Sequence, residues 1–180
     1  MSKIQSSLIV PHQFDEVILA NSNIILDTNI LIELSIQNKG YFELFEKFNE
    51  KNCTYLTSDI CYYEFMKISR SKKEMDIKKK LFANFEIVVL PTGKLTEEFE
   101  FILSILRGKN VSLADIMLGA LLKKYEMNNN IFLLTSDIKD FGKSIYERKI
   151  IFNVSEEEQI KNIILCRLNT DESNIKASHY

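Results

Sequence analysis

The stretch Asn23-Ile24-Ile25-Leu26-Asp27-Thr28-Asn29-Ile30-Leu31-Ile32 constrains this chain more than any other. Three aliphatic residues run into an aspartate, then Thr and Asn, before apolar positions resume at Ile30, Leu31 and Leu34. A short aliphatic run of this kind predicts a buried strand, central in a parallel sheet, where both faces are covered and alternation is lost. Open α/β sheets bind ligands beyond the carboxyl ends of their strands. Asp27 falls at that edge, and the question for the rest of the chain is what else reaches it.

Strands and helices alternate from there on. The pattern predicts a strand over 23–27 and a short helix over 29–37, then Gly40 as a break. A second helix over 41–49 follows, with Phe42, Phe45 and Phe48 as a core-facing row. A strand over 53–57 leads to Ser58, an N-cap for a helix over 59–69 that carries Glu64. A lysine-rich connection passes into another helix ending near 84. The third strand, 86–90, is stopped by Pro91, and a helix over 95–107 is closed by Gly108. Ser112 opens the most apolar helix, running to about 127. Gly119 in its middle costs roughly 1 kcal/mol against Ala, which implies close packing there. The fourth strand is 131–135 and a last short one 150–153. The capping box Ser155-Glu156-Glu157-Glu158 predicts a C-terminal helix. Before the first confident strand, residues 7–10 suit an edge strand and 12–20 a helical turn after Pro11.

No hairpin signal stands out. The expectation is one α/β domain over 23–168, with a mainly parallel central sheet flanked by helices. An N-terminal extension of uncertain structure, 1–22, precedes it, and a polar tail, 169–180, follows.

At 180 residues and 46% hydrophobic content the chain can bury one substantial core. No apolar run has the length of a membrane span, and the polar start lacks the pattern of a signal peptide. Three widely spaced cysteines, Cys53, Cys61 and Cys166, read as reduced thiols of a cytoplasmic protein. Cys61 and Cys166 are assigned to apolar helix faces. His12 and His179 lie near opposite ends and no CxxC pair exists, which argues against zinc. The net charge of −2 offers no global basic field for nucleic acid, although a local patch is compatible with it.

Four acids stand in hydrophobic surroundings: Asp27, Glu64, Asp115 and Asp137. Asp27 and Asp137 follow aliphatic strands, whereas Glu64 and Asp115 lie in the early turns of apolar helices. In a parallel sheet all four can converge on one edge. Each also has a plainer reading. Asp115 follows Ser112 by three residues, as a capping box requires. Asp137 suits an Asx-turn, and Glu64 a solvent-facing helix position. Asp27 is the hardest to explain as a merely solvated charge. Two unit charges about 4 Å apart repel by roughly 4 kcal/mol at an effective dielectric of 20, so a convergent quartet calls for a cation. Oxygen ligands without His or Cys suit Mg²⁺ or Mn²⁺, and phosphodiester hydrolysis is the chemistry such ions serve.

In order and local context, Ile-Leu-Asp27-Thr-Asn, Tyr-Tyr-Glu64-Phe, Ser-Leu-Ala-Asp115-Ile-Met-Leu-Gly-Ala and Leu-Leu-Thr135-Ser-Asp137-Ile-Lys-Asp140-Phe resemble the PIN-domain ribonucleases. The likeness is greatest to the VapC-type toxins of toxin–antitoxin pairs, and it spans about residues 23–153. It implies an Mg²⁺- or Mn²⁺-dependent endoribonuclease with Asp27, Glu64, Asp115 and Asp137 as metal ligands and catalytic residues. Thr135 and Thr28 would be hydroxyls supporting those ligands, while Asp140 serves either the site or its turn. The resemblance further implies in-line attack by water on RNA, leaving a 5′-phosphate and a 3′-hydroxyl. It also implies a homodimer and an antitoxin partner that inserts a basic residue into the acidic pocket. The chain is longer than the compact toxin pattern at 1–22, at 70–80 and after 168.

Basic residues at 67–80, with Lys72 and Lys73 foremost, and Lys94, Arg107 and Lys109 are candidates for RNA phosphates; a solvated helix face explains them equally. Tyr62 and Tyr63 are candidates for base stacking, one of them expected in the core. Two other functions remain open. A non-catalytic PIN-like binding module would fail to bind metal. A phosphatase with Asp27 as nucleophile would form an aspartyl-phosphate, although such enzymes want a second acid where Asn29 stands. Within the nuclease reading, toxin, RNA-processing and defence roles share these residues.

Overall fold

The computed structural model describes residues 6–9, 19–106, 111–127, 130–137, 146–156 and 159–169. Seven strands form one sheet: β1 (Ser6–Ile9), β2 (Asn23–Leu26), β3 (Thr54–Ser58), β4 (Val88–Leu90), β5 (Ile131–Thr135), β6 (Tyr146–Glu156) and β7 (Gln159–Leu168). Their spatial order is β1-β6-β7-β5-β2-β3-β4. Six helices are described: α1 (Thr28–Ser35), α2 (Lys39–Glu50), α3 (Asp59–Lys67), α4 (Lys72–Asn84), α5 (Thr96–Ile105) and α6 (Leu113–Lys124).

The single α/β domain with a parallel centre is present. Strand β2 pairs in parallel with both β3 and β5, and β3 with β4. Both faces of this block are covered. Ile24 and Leu26 join Phe132 and Leu134 in a core roofed by α1, α2 and α4, with Phe45 and Phe48 fully buried in it. Ile25, Ile131 and Leu133 point the other way, to α5 and α6. Covering both faces removes the polar/apolar alternation and leaves aliphatic runs. The phenylalanine row behaves as expected, Phe45 packing edge-on to Phe48 at 5.9 Å. Gly119 is tightly enclosed: an added Cβ would lie 2.5 Å from the Tyr146 hydroxyl and 3.1 Å from Ile102.

The expected edge strand is found as β1, at the border of the sheet beside β6. Gly40 does not break the chain. It lies inside the first turn of α2, which Asn38 caps by accepting the Gly40 N–H, and its Cα faces Val154.

The largest correction is at the C-terminal end. The helix expected from Ser155 is absent, and β6 and β7 form an antiparallel hairpin with a bulge between Arg148 and Ile150. Strand β7 also pairs antiparallel with β5, so it lies inside the sheet. Ile163, Ile164, Leu165 and Cys166 are therefore all buried, alternately on opposite faces. A strand buried on both sides has no period of two, and its apolar run cannot be told from a buried helix by pattern alone. Cys166 is thus a strand residue rather than a helical one. The parallel description holds for the block β5-β2-β3-β4, and the other three strands are joined by antiparallel pairings.

Most of the turn expected within 12–20, the Gly108 stop, the Phe141-Gly142 connection and the tail from 170 lie outside the described residues. No helix among the described residues is long and apolar enough to cross a membrane.

Candidate active site at the carboxyl edge of the sheet

Strands β2 and β5 end side by side, Leu26 opposite Leu134, which places Asp27 next to Thr135. The Asp27 N–H still donates to the Leu134 carbonyl at 3.1 Å, so the aspartate is held by the sheet. It also begins α1. As N-cap, its Oδ1 accepts the Thr28 N–H at 2.6 Å. Its Oδ2 accepts two further donors, the Thr135 hydroxyl and the Asn29 amide, each at 2.6 Å. The carboxylate is 5% exposed, which makes these bonds the replacement for water.

Asp115 comes from α6, which packs on the face to which Ile25 and Leu133 point. It is buried at the start of α6, where the capping box with Ser112 forms as the spacing predicts. Ser112 Oγ donates to Asp115 Oδ2 at 2.6 Å. Burial pushes the Asp27 carboxyl up to about 6, and the nearby charge of Asp115 adds to the rise, against the hydrogen bonds from Thr135, Thr28 and Asn29.

Glu64 and Asp137 connect to Asp27 through the two threonines. Thr28 Oγ1 donates to Glu64 Oε2 at 2.9 Å, which ties α3 to the start of α1. Thr135 Oγ1 accepts the Asp137 N–H at 3.0 Å, shaping the turn after β5. The six residues singled out in the sequence for the acids and their supporting hydroxyls thus meet at one edge. They do not close into a tight cluster: among the described residues no three Asp, Glu, His or Cys side chains are grouped so as to hold a metal ion. Asp27 is occupied by its internal donors and Asp115 folds back on Ser112. Asp140 lies outside the described residues.

Asn29 is the site residue that sequence reasoning missed. Its amide nitrogen donates to Asp27 and, at 3.2 Å, to Thr135 Oγ1, while its Oδ1 accepts the Ser136 N–H at 3.1 Å. One side chain thereby joins the β2–α1 turn to the end of β5. The signal was present, an Asn two residues after a strand-terminal Asp, but two of its partners, Thr135 and Ser136, lie far along the chain. Cys61 is buried beneath the site. Burial pushes its thiol up to about 11, the charges of Asp27 and Glu64 add to this, and hydrogen bonds with Ser58 and Thr28 oppose it. It is an inert core thiol, as expected.

The basic candidates separate. Lys72 and Lys73 are exposed in the first turn of α4, and Arg107 and Lys109 lie outside the described residues. Lys78 is corrected. It is 7% exposed, donates to the Phe65 carbonyl and sits 4.4 Å from the centroid of the Phe65 ring, so it is a strut between α3 and α4. Of the two tyrosines, Tyr62 packs edge-on to Phe82 at 5.0 Å, and Tyr63 is 65% exposed.

No protein-family model matches the sequence, and no curated protein does. Among solved structures, a chain in the crystal structure of VapBC2 from Rickettsia felis bound to a DNA fragment from their promoter is similar to this one. Its TM-score is 0.54 at 20% identity, over 66% of this chain and 90% of that chain. This likeness shows the fold, a single PIN-like α/β domain.

Proposed function

We propose that the chain is a metal-dependent endoribonuclease of the VapC-like kind, hydrolysing RNA phosphodiester bonds at the edge where Asp27, Glu64, Asp115 and Asp137 meet. The observation that carries this reading is that two acids, Asp27 and Asp115, are buried at one edge, near enough for the charge of Asp115 to raise the Asp27 carboxyl. The charge of Asp115 raises the Asp27 carboxyl, and among the described residues no cationic side chain offsets that rise. Each acid also caps a helix, but capping does not require the two to lie close enough to raise the Asp27 carboxyl.

The donor chemistry fits a hard divalent cation. Carboxylate and hydroxyl oxygens surround the site, and the nearby thiol of Cys61 is held protonated by its burial. In this reading Asp27 and Asp115 would hold Mg²⁺ or Mn²⁺, with Glu64 and Asp137 as the further ligands. The ion supplies Lewis-acid polarisation of the phosphate and a nucleophile at neutral pH. Asn29, Thr135 and the Thr28 N–H hold the Asp27 carboxylate in one orientation. Lys72, Lys73 and Arg107 are assigned to RNA phosphates. The likeness in fold to a chain of VapBC2, solved on DNA from their promoter, favours a small antitoxin partner for this chain. A homodimer in the cytoplasm completes the reading. A strict monomer in light scattering would sink the dimer.

The test is cleavage of labelled single-stranded and hairpin RNAs with Mn²⁺, Mg²⁺ or EDTA. Wild type is expected to cut only with metal, and Asp27→Asn to lose at least the roughly 10–100-fold in rate that loss of a residue supporting a metal ligand costs. Metal-independent cutting, or full activity in Asp27→Asn, contradicts the proposal. A protein that binds no Mn²⁺ and cuts nothing is instead a binding module. A toxin, an RNA-processing and a defence nuclease would differ here only in which RNA is cut.

A further inference from the structure

Gly119 is the weakest helix former in α6, and its surroundings leave no room for anything larger. A Cβ at this position would lie 2.5 Å from the Tyr146 hydroxyl and 3.1 Å and 3.3 Å from two carbons of Ile102, where ordinary contact begins at 3.4 Å. Neither neighbour is loose. Ile102 and Tyr146 are buried in one cluster with Leu118, Leu121 and Leu168, and Tyr146 is paired with Leu168 in the hairpin. Tyr146 belongs to β6, so at this point the sheet itself reaches across to α6 and fills the space a side chain would take.

The same contact lies close to the acids. Asp115 stands four residues before Gly119, about one turn along the same face of α6. The link is spatial as well. Burial first, and then the charges of Cys166 and Asp115, push the Tyr146 hydroxyl up, and Asp115 in turn raises the Asp27 carboxyl. Ser112 fixes how the Asp115 carboxylate is held on the helix, its Oγ donating at 2.6 Å. It does not fix where the helix stands, because Ser112 and Asp115 ride on it together. The stand-off of α6 from the sheet is set by what packs between them, and at Gly119 that is the Tyr146 hydroxyl. A helix displaced there carries Asp115 with it, and about 1 Å of ligand error is enough to spoil a metal site.

We propose that Gly119 and Tyr146 are positioning residues for the acidic edge: the hydroxyl seated against the glycine sets how far α6 stands from the sheet, and so holds Asp115 within joint reach, with Asp27, of one divalent cation. The inference rests on the reading of Asp27 and Asp115 as ligands of the same ion, and binding of that ion can be measured without cleavage.

The experiment is isothermal titration calorimetry of Mn²⁺ into the full chain, with urea unfolding in EDTA run beside it. Gly119→Ala is expected to weaken Mn²⁺ binding by at least about tenfold. Adding Tyr146→Phe, which removes the hydroxyl that the new methyl meets, is expected to restore most of that loss. Phe152→Leu is the control for a merely looser core. Phe152 packs in the cluster on the other face of the sheet, so this variant is expected to unfold at lower urea and to bind Mn²⁺ as wild type does. Where Gly119→Ala does not fold, Tyr146→Leu probes the same contact without crowding it and is expected to weaken Mn²⁺ binding by a similar factor. Wild-type affinity in Gly119→Ala or, in its place, in Tyr146→Leu overturns the positioning role, as does no recovery in the double variant or an equal loss in Phe152→Leu. A wild type that binds no Mn²⁺ overturns the metal reading itself, and the positioning role with it.

Discussion

Strands β2, β3, β4 and β5 contain no Asp, Glu, Lys or Arg, whereas β6 and β7 carry charges along their length. In the parallel block, polar groups gather past the strand ends: Asp27 after β2, Ser58 closing β3, Asp137 after β5. In the antiparallel hairpin they form ion pairs, Glu147 taking Arg167 across the strands and Lys149 along its own strand, and Lys161 reaching Glu33 of α1 at 2.7 Å. The difference follows from connection geometry. Parallel strands must be joined through helices, which stack strand ends and helix starts on one edge. A hairpin needs no such edge, so its polar residues serve pairing and solubility. The block buries carboxylates that hydrogen bonds hold but no ion pair neutralises among the described residues, and the hairpin sets its charges in surface ion pairs.

The hairpin's share in the common core gives the largest expected effect. Phe152 is fully buried and packs edge-on to Phe48 at 5.7 Å. Phe152→Ala should cost about 3–5 kcal/mol in urea unfolding while leaving the cleavage rate of the folded protein unchanged. A loss below about 1 kcal/mol would mean that the hairpin is a separate appendage.

The block should show its buried charge as a pH effect. The Asp27 carboxyl sits at about 6 in the folded chain against 3.8 for an unperturbed aspartate. The folded state holds this proton more tightly, so the group's contribution is fully present below about pH 3.8 and is lost as pH rises through about 6. In EDTA, the stability of wild type relative to Asp27→Asn should fall by about 3 kcal/mol across that window. A relative stability flat from pH 4 to 7 would show that Asp27 is not strained by burial. Saturating Mn²⁺ should reduce the fall.

The smallest effect belongs to the hairpin's surface pairs. Glu147, 43% exposed at its side chain, is held below its ordinary carboxylate range chiefly by the hydrogen bond from Lys149, with Arg167 adding to it. Glu147→Gln should cost no more than about 1 kcal/mol and nothing in activity. A larger loss, or a change in cleavage, would erase the contrast between the two regions.

Much of the candidate site was legible because its determinants are local. An aliphatic run ending in Asp-Thr-Asn, a Ser three residues before Asp115, and Ser58 before an amphipathic helix are short-range patterns, and the Ser58 and Ser112 caps form where those patterns put them. The acids' presence at one edge follows from the alternation of strands and helices. The strand character of 159–168 was not legible, because burial on both faces erases the period that distinguishes strand from helix. Nor were Asn29 as a bridge, Lys78 as a buried strut and the opposite fates of Tyr62 and Tyr63. Each depends on a partner distant in the chain: Thr135 and Ser136 for Asn29, Phe65 and Phe82 across the α3–α4 turn for the others.

By itself, then, the sequence determined where strands end, which helices are capped and which acids stand at those ends, since backbone geometry and nearest-neighbour hydrogen bonds set these. Tertiary structure alone decided which of those groups touch. It brought the Thr135 hydroxyl onto Asp27 Oδ2, set Asp115 near enough to raise the Asp27 carboxyl, and turned Tyr63 rather than Tyr62 outward, because packing and electrostatics act across space between residues the chain order keeps apart.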